Sequence, residues 1–142
     1  MYYFAYGSNI NFEQMKRRCP CTRFIKRGYL KNYKFVYDGY SELRKGAVAN
    51  IIPEDVEKVW GGLFEIDEES LNNLDRYEGY PKHYNRKILE VLDDDGNKYQ
   101  AWVYLREPKK QGEPAEDYKN TILDGAKDCN LPEEYINKVL KR

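Results

Sequence analysis

Glu78 has the neighbours of a general base. In the stretch LNNLDRYEGYPKHY, residues 71–84, Leu71, Leu74 and Glu78 fall at i, i+3 and i+7 and so share one face of a helix. The leucines seek the core, and the same periodicity turns the Glu78 carboxylate inward. Gly79 follows as a residue free to take positive φ, and Pro81 blocks continuation of the helix. A carboxylate at the C-terminal end of a helix, beside Tyr77, Tyr80 and Tyr84, is harder to ionise than in water, because desolvation and the negative helix end both oppose the charge. Its pKa should rise above the ordinary value of about 4.3, into the range where a carboxylate accepts and returns a proton near neutrality. The position equally suits a glutamate that frays into solvent.

The second chemical stretch is YFAYGSN at residues 3–9. Tyr3, Phe4 and Ala5 belong to a short buried strand, and Tyr6, Gly7, Ser8 and Asn9 turn it into a helix. Such a junction exposes backbone N–H groups that stabilise an anion, whether a substrate carboxylate or a developing oxyanion. Gly7 lets the backbone approach a ligand with no Cβ in the way. An ordinary capped turn has the same pattern. Ser8 lacks a Gly-x-Ser-x-Gly setting, and the single histidine, His83, lies in a loop and reads as a surface residue, which argues against a serine-hydrolase triad. Cys19, Cys21 and Cys129 with one histidine match no common zinc spacing, so no metal site is expected and the cysteines read as free thiols. Tyr104, in QAWVYL, shares a strand face with Trp102, opposite Val103. An inward tyrosine there needs a partner for its hydroxyl, in the backbone or in a site.

To position these groups the chain offers a strand at 2–5 and a helix at 11–18 capped by Asn9 or Asn11. Strand-like pieces follow around 24–30, 33–37 and 47–52, the last stopped by Pro53. The run from Val56 to Ile66 is the strongest strand signal, and Gly61-Gly62 within it predicts a bulge or tight curvature. Asp67 caps the helix that ends at Glu78. Strands at 86–92 and 98–106 form a hairpin across Asp93-Asp94-Asp95-Gly96. A polar linker at 108–114 leads to a helix whose stripe is Tyr118, Ile122, Ala126 and Cys129. Pro132 then opens a last helix that buries Tyr135, Ile136, Val139 and Leu140. This order predicts an α+β domain with a mixed, barrel-like sheet flanked by helices.

The length of 142 residues suits one domain spanning 1–142. Lys+Arg and Asp+Glu both number 24, so the charge points neither to nucleic acid nor to an acidic membrane. An odd number of cysteines, with no apolar leader or long apolar run, predicts a reducing, cytoplasmic compartment. The 14 tyrosines supply bulk with a polar tip, which fits a partly wet pocket or an interface as well as a core.

Together these stretches resemble the gamma-glutamylcyclotransferase family of the AIG2-like superfamily. The likeness runs through YFAYGSN at 3–9, GAVANIIP at 46–53, VWGGLFEI at 59–66, LDRYEGYPKHY at 74–84, WVYL at 102–105 and YKNTILDGAKDCNLPEEYINK at 118–138. It implies a compact mixed barrel, one catalytic glutamate matching Glu78, a substrate cradle matching Tyr3 to Ser8, and a substrate-contacting strand tyrosine matching Tyr104. It also implies a small gamma-glutamyl substrate, no cofactor and a homodimer. The expected reaction is closure of the substrate's α-amine onto its γ-carbonyl, releasing 5-oxoproline and an amino acid. GYPKHY after the glutamate is more like the bacterial and plant branches. The acceptor side therefore stays open, with a gamma-glutamyl amine or a gamma-glutamyl-protected intermediate as a second substrate reading. A non-catalytic ligand-binding domain of the same fold is the third reading.

Overall fold

The computed structural model describes residues 1–142. Five strands close a mixed barrel in the order β1 (Tyr2–Ala5), β3 (Gly46–Glu65), β2 (Arg23–Ser41), β4 (Asn85–Leu92) and β5 (Lys98–Leu105). β1 runs antiparallel to β3, with Tyr3 opposite Phe64, and parallel to β5, with Tyr3 opposite Trp102. That parallel pairing joins the two ends of the sheet and brings the first residues of the chain beside residues a hundred positions later. The α+β barrel expected from the sequence is therefore present.

The four strand pieces expected between residues 24 and 66 are two long strands. β2 and β3 pair continuously as one hairpin, and the interruptions near Lys31 and Pro53 are register shifts within it rather than breaks. A bulge accommodates proline because the extra residues leave a missing N–H outside the ladder. Gly61 and Gly62 sit in unbroken register with Gly28 and Arg27, so they form no bulge. They are needed for close approach: a Cβ on Gly61 would run into the Ala5 carbonyl and the Phe4 ring, and one on Gly62 would lie 2.8 Å from Cys129 Sγ.

The barrel interior is filled by Phe4, Leu30, Ile51, Val59, Leu63, Val91 and Val103, all at most 1% exposed. Burying each such side chain contributes about 1.5–3 kcal/mol. Outside lie α1 (Phe12–Arg18), α2 (Glu68–Glu78), α3 (Glu116–Asp128) and α4 (Glu133–Tyr135), the last continuing as a wider π turn over Ile136–Leu140. The stripe Tyr118, Ile122, Ala126 and Cys129 is buried as its spacing requires, as are Tyr135, Ile136 and Leu140. No helix is long and apolar enough to cross a membrane. Cys19 and Cys129 are buried, Cys21 is exposed, and all three are free.

Candidate active site

α2 aims Glu78. Asp67 caps the helix by accepting the Ser70 N–H at 2.8 Å, Leu71 and Leu74 bury its inner face, and Gly79 ends it in the left-handed region at φ 67°. The Gly79 N–H turns back to the carbonyls of Arg76 and Asp75, a left-handed C-cap. A Cβ there would also strike the His83 ring. Glu78 thus ends the helix at a fixed point, with 19% of its side chain still exposed. It does not fray.

Glu78 faces a cavity of about 50 Å³ lined by Tyr3, Phe4, Tyr6, Gly7, Ser8, Asn9, Ala49, Tyr84, Tyr104 and Tyr118. The structure thus brings together every residue expected to catalyse or to bind substrate except Ala5, which is 1% exposed and packs behind the wall in the core. The surroundings of the carboxylate differ from the sequence expectation in one respect. Of the three nearby tyrosines only Tyr84 shares the cavity. Tyr77 is 54% exposed under the Arg18 guanidinium, and Tyr80 stacks on Arg86. The other tyrosines that line the cavity with Glu78, namely Tyr3, Tyr6, Tyr104 and Tyr118, come from distant parts of the chain. Burial pushes the Glu78 carboxyl up to about 7, against the smaller opposing pull of Arg18 and Arg44. Burial raises the phenols as well, Tyr118 to about 12, so they remain protonated at neutral pH.

The cradle is held by a polar network. Asn9, 3% exposed, donates to the Tyr3 hydroxyl at 3.0 Å and accepts from Gln14 at 2.9 Å and Arg18 at 3.2 Å. Gln14 also donates to Ser8 Oγ at 2.7 Å and accepts from Arg44 at 3.0 Å. Arg18 Nη1 lies 4.0 Å from Glu78 Oε2, which ties the turn to the carboxylate. The expected helix start is modified here. Ser8–Ile10 is a 3₁₀ turn, and α1 begins only after Asn11, whose Oδ1 accepts from Gln14 N, while Asp128 accepts the Phe12 N–H. The cap is Asn11, and the N-terminus of α1 is closed by side chains. The backbone at the cavity is the 3₁₀ turn, whose first N–H groups, at Ser8 and Asn9, precede any carbonyl partner within it. Gly7 has φ −108°, so its lack of a Cβ serves close packing: a Cβ would sit 3.0 Å from that of Ala49.

Tyr104 donates its hydroxyl to Asp75 Oδ1 at 2.7 Å, a side-chain partner rather than the backbone. Asp75 in turn holds Arg86 through bonds of 2.8 and 3.2 Å, and Arg86 is stacked between Tyr80 and Trp102 at 4.3 Å from each ring. Tyr84 donates to the Ala49 carbonyl at 2.6 Å, and the Ala49 N–H donates to the Tyr118 hydroxyl at 2.9 Å. Sequence reasoning did not place Asp75, Ala49, Tyr118 and Gln14 in the site. The available signal was that a buried Tyr118 on a helix stripe must find a polar partner.

A small closed five-strand barrel flanked by helices is an architecture that known proteins share. Residues 58–139 match the AIG2-like family. Human and mouse gamma-glutamylcyclotransferase are each 30% identical over 96% of this chain and 76% of their own length. A solved gamma-glutamyl cyclotransferase structure superposes with a TM-score of 0.94 at 30% identity, covering 99% of this chain and 86% of the other. YkqA from Bacillus subtilis superposes with a TM-score of 0.82 at 25% identity over 97% of this chain and 52% of that one. The chain belongs to the AIG2-like family that includes the gamma-glutamylcyclotransferases.

Proposed function

We propose that the protein is a gamma-glutamylcyclotransferase acting as one unit over residues 1–142, converting a gamma-glutamyl compound to 5-oxoproline and a free amino acid. The observation that carries this reading is Glu78, a carboxyl raised to about 7 that lines the same cavity as Gly7, Ser8 and Asn9 of the turn. A group with that pKa can both take and return a proton near neutral pH.

The substrate already contains its nucleophile, so the protein chiefly has to hold the folded conformer. Glu78 takes one proton from the α-ammonium. The amine nitrogen then forms a bond to the γ-carbonyl carbon, and the carbonyl oxygen becomes an anion. Protonated Glu78 returns the proton to the leaving nitrogen as the old C–N bond breaks and the lactam carbonyl re-forms. The second proton of the ring nitrogen passes through the freed Glu78 carboxylate to the released amine, which departs as an ammonium. The N–H groups of Ser8 and Asn9 serve the α-carboxylate or the oxyanion, both anions within the same cradle. The tyrosine hydroxyls shape the remaining wall. The step is an internal acyl transfer and needs no cofactor. Three free thiols suit a reducing, cytoplasmic location, and a homodimer is the assembly proposed with this reading.

Incubation with gamma-glutamyl-alanine and mass spectrometry of the products tests this reading. The expected products are 5-oxoproline and alanine in equal amounts; unchanged substrate overturns it. The role of the turn is tested separately by kcat/KM. Ser8→Ala removes a hydroxyl held by Gln14 and is expected to lose about tenfold to a hundredfold, the range for one hydrogen bond to a charged group. Gly7→Val is expected to lose more, because its branched side chain meets Ala49 and the mouth of the cavity. If Ser8→Ala were inactive and an acyl-enzyme could be trapped on Ser8, direct lactam closure would have to be abandoned.

A further inference from the structure

Outside the inner cavity lies a larger vestibule of about 500 Å³, and the two share Ser8, Glu78, Tyr84 and Tyr118. These four residues mark the boundary between them. If the gamma-glutamyl portion fills the inner cavity as proposed above, its γ-carbonyl lies at this boundary and the leaving group occupies the vestibule.

The vestibule is cationic. Arg18, Arg44, Arg76, Arg106 and Lys109 line it, against the carboxylates of Glu42 and Glu78, and His83 lies on the same wall. Two of these cations have carboxylate partners: Arg18 faces Glu78 at 4.0 Å, and Arg106 is paired with Asp38 at 2.6 Å. Arg44, Arg76 and Lys109 are in no salt bridge, although Arg44 donates to Gln14 and Arg76 to Asn73. Glu42, exposed, is likewise unpaired. Three cations set against one carboxylate leave an excess of two positive charges in the chamber. The Arg44 guanidinium is additionally fixed 5.0 Å above the Tyr118 ring, so this charge stands at the boundary itself. A chain whose basic and acidic residues balance overall has concentrated positive charge where the leaving group must sit.

We propose that the vestibule selects gamma-glutamyl compounds whose leaving amine carries two carboxylates, an acidic amino acid such as glutamate or aspartate, with Arg44 and Lys109 as specificity residues. This rests on the cyclotransferase reading above. An uncharged gamma-glutamyl amine leaves the excess uncompensated, and a neutral amino acid, with one carboxylate, compensates half of it.

The test compares gamma-glutamyl-glutamate, gamma-glutamyl-alanine and gamma-glutamyl-ethylamine by kcat/KM for 5-oxoproline release at low and high salt. The expected order is glutamate, alanine, ethylamine, with the glutamate compound losing most on addition of salt, which screens exposed charges. Lys109→Gln and Arg44→Gln are each expected to lower kcat/KM for gamma-glutamyl-glutamate by about threefold to fivefold more than for gamma-glutamyl-ethylamine. Because Arg44 also steadies Gln14, Lys109→Gln serves as the independent variant. Equal kcat/KM for the three compounds, or variants that lower all three alike, overturns the proposal. Should none of them yield 5-oxoproline, the reaction assigned above fails, and calorimetric binding decides the vestibule on its own. Tighter binding of gamma-glutamyl-glutamate than of gamma-glutamyl-ethylamine, weakened by Lys109→Gln, sustains it; equal binding ends it.

Discussion

Glu78→Gln is expected to lower kcat by at least about a hundredfold, the scale on which a general acid–base group contributes, while raising thermal stability above neutral pH. Glutamine keeps the shape of the side chain but takes no proton from the substrate ammonium. The effect on stability follows from linkage. The folded pKa, about 7, lies above the ordinary carboxylate value because burial disfavours the charge. The stability tied to neutral Glu78 is therefore fully present below about pH 4.3 and is lost as the pH rises through about 7. A permanently neutral glutamine escapes that loss. With 19% of the side chain exposed, solvent reduces the difference to the order of 1–3 kcal/mol above pH 7, closing toward pH 4. Thermal unfolding of both proteins at pH 5 and pH 8 measures it. A Glu78→Gln variant that is less stable than the parent at pH 8, or that keeps a tenth of its kcat, contradicts the role assigned to the carboxylate.

Asp38→Ala carries the largest expected cost to the fold. Asp38 is 0% exposed and accepts from Arg106 Nη1 at 2.6 Å, Asn50 Nδ2 at 3.2 Å and the Lys109 N–H at 3.0 Å. Removing it strands the Arg106 side chain, itself 9% exposed, as an uncompensated buried charge. Breaking such a pair costs about 3–5 kcal/mol, a fall in Tm on the order of 10 °C for a chain of this size. Arg106 also lies 4.9 Å over the Tyr84 ring, so the wall shared by cavity and vestibule loosens too and kcat/KM falls with stability. Replacing both partners, Asp38→Ala with Arg106→Leu, is expected to recover part of the loss because no charge is left behind. Urea unfolding of the parent and the two variants checks this. A single-variant cost below about 1 kcal/mol, the level of an exposed pair, would show that the buried network is dispensable.

What the sequence revealed and what it hid divide by range. Glu78, Gly79 and Asp67 were legible because a helix writes its inward face and its caps into neighbouring residues. The strand-to-turn stretch at 3–9 was legible for the same reason, as was the hairpin turn at 93–96. Asp75 gave no local signal, since its partners Tyr104 and Arg86 meet it only when β4 and β5 close beside α2. Ala49 and Tyr118, 69 residues apart, pair across the cavity with nothing in the intervening chain to announce it. The concentration of basic residues in the vestibule was invisible in a balanced composition, because Arg18, Arg44, Arg76, Arg106 and Lys109 come from separate segments. Pro53 and Gly61-Gly62 misled in the other direction. Local rules read the first as a stop and the others as a bulge or tight curvature, whereas the long β2–β3 hairpin absorbs the first in a register shift and uses the others, without a bulge, for close contact with β1 and Cys129.

The identity of the attacking group is the central claim, and oxygen labelling addresses it without reference to rate. The protein is incubated with gamma-glutamyl-alanine in water enriched in oxygen-18, and the acyl product is weighed by mass spectrometry. Attack by the substrate's own amine, with Glu78 moving the proton, gives unlabelled 5-oxoproline. Attack by water activated at the same carboxylate gives glutamate carrying one heavy oxygen, and that result would contradict internal cyclisation.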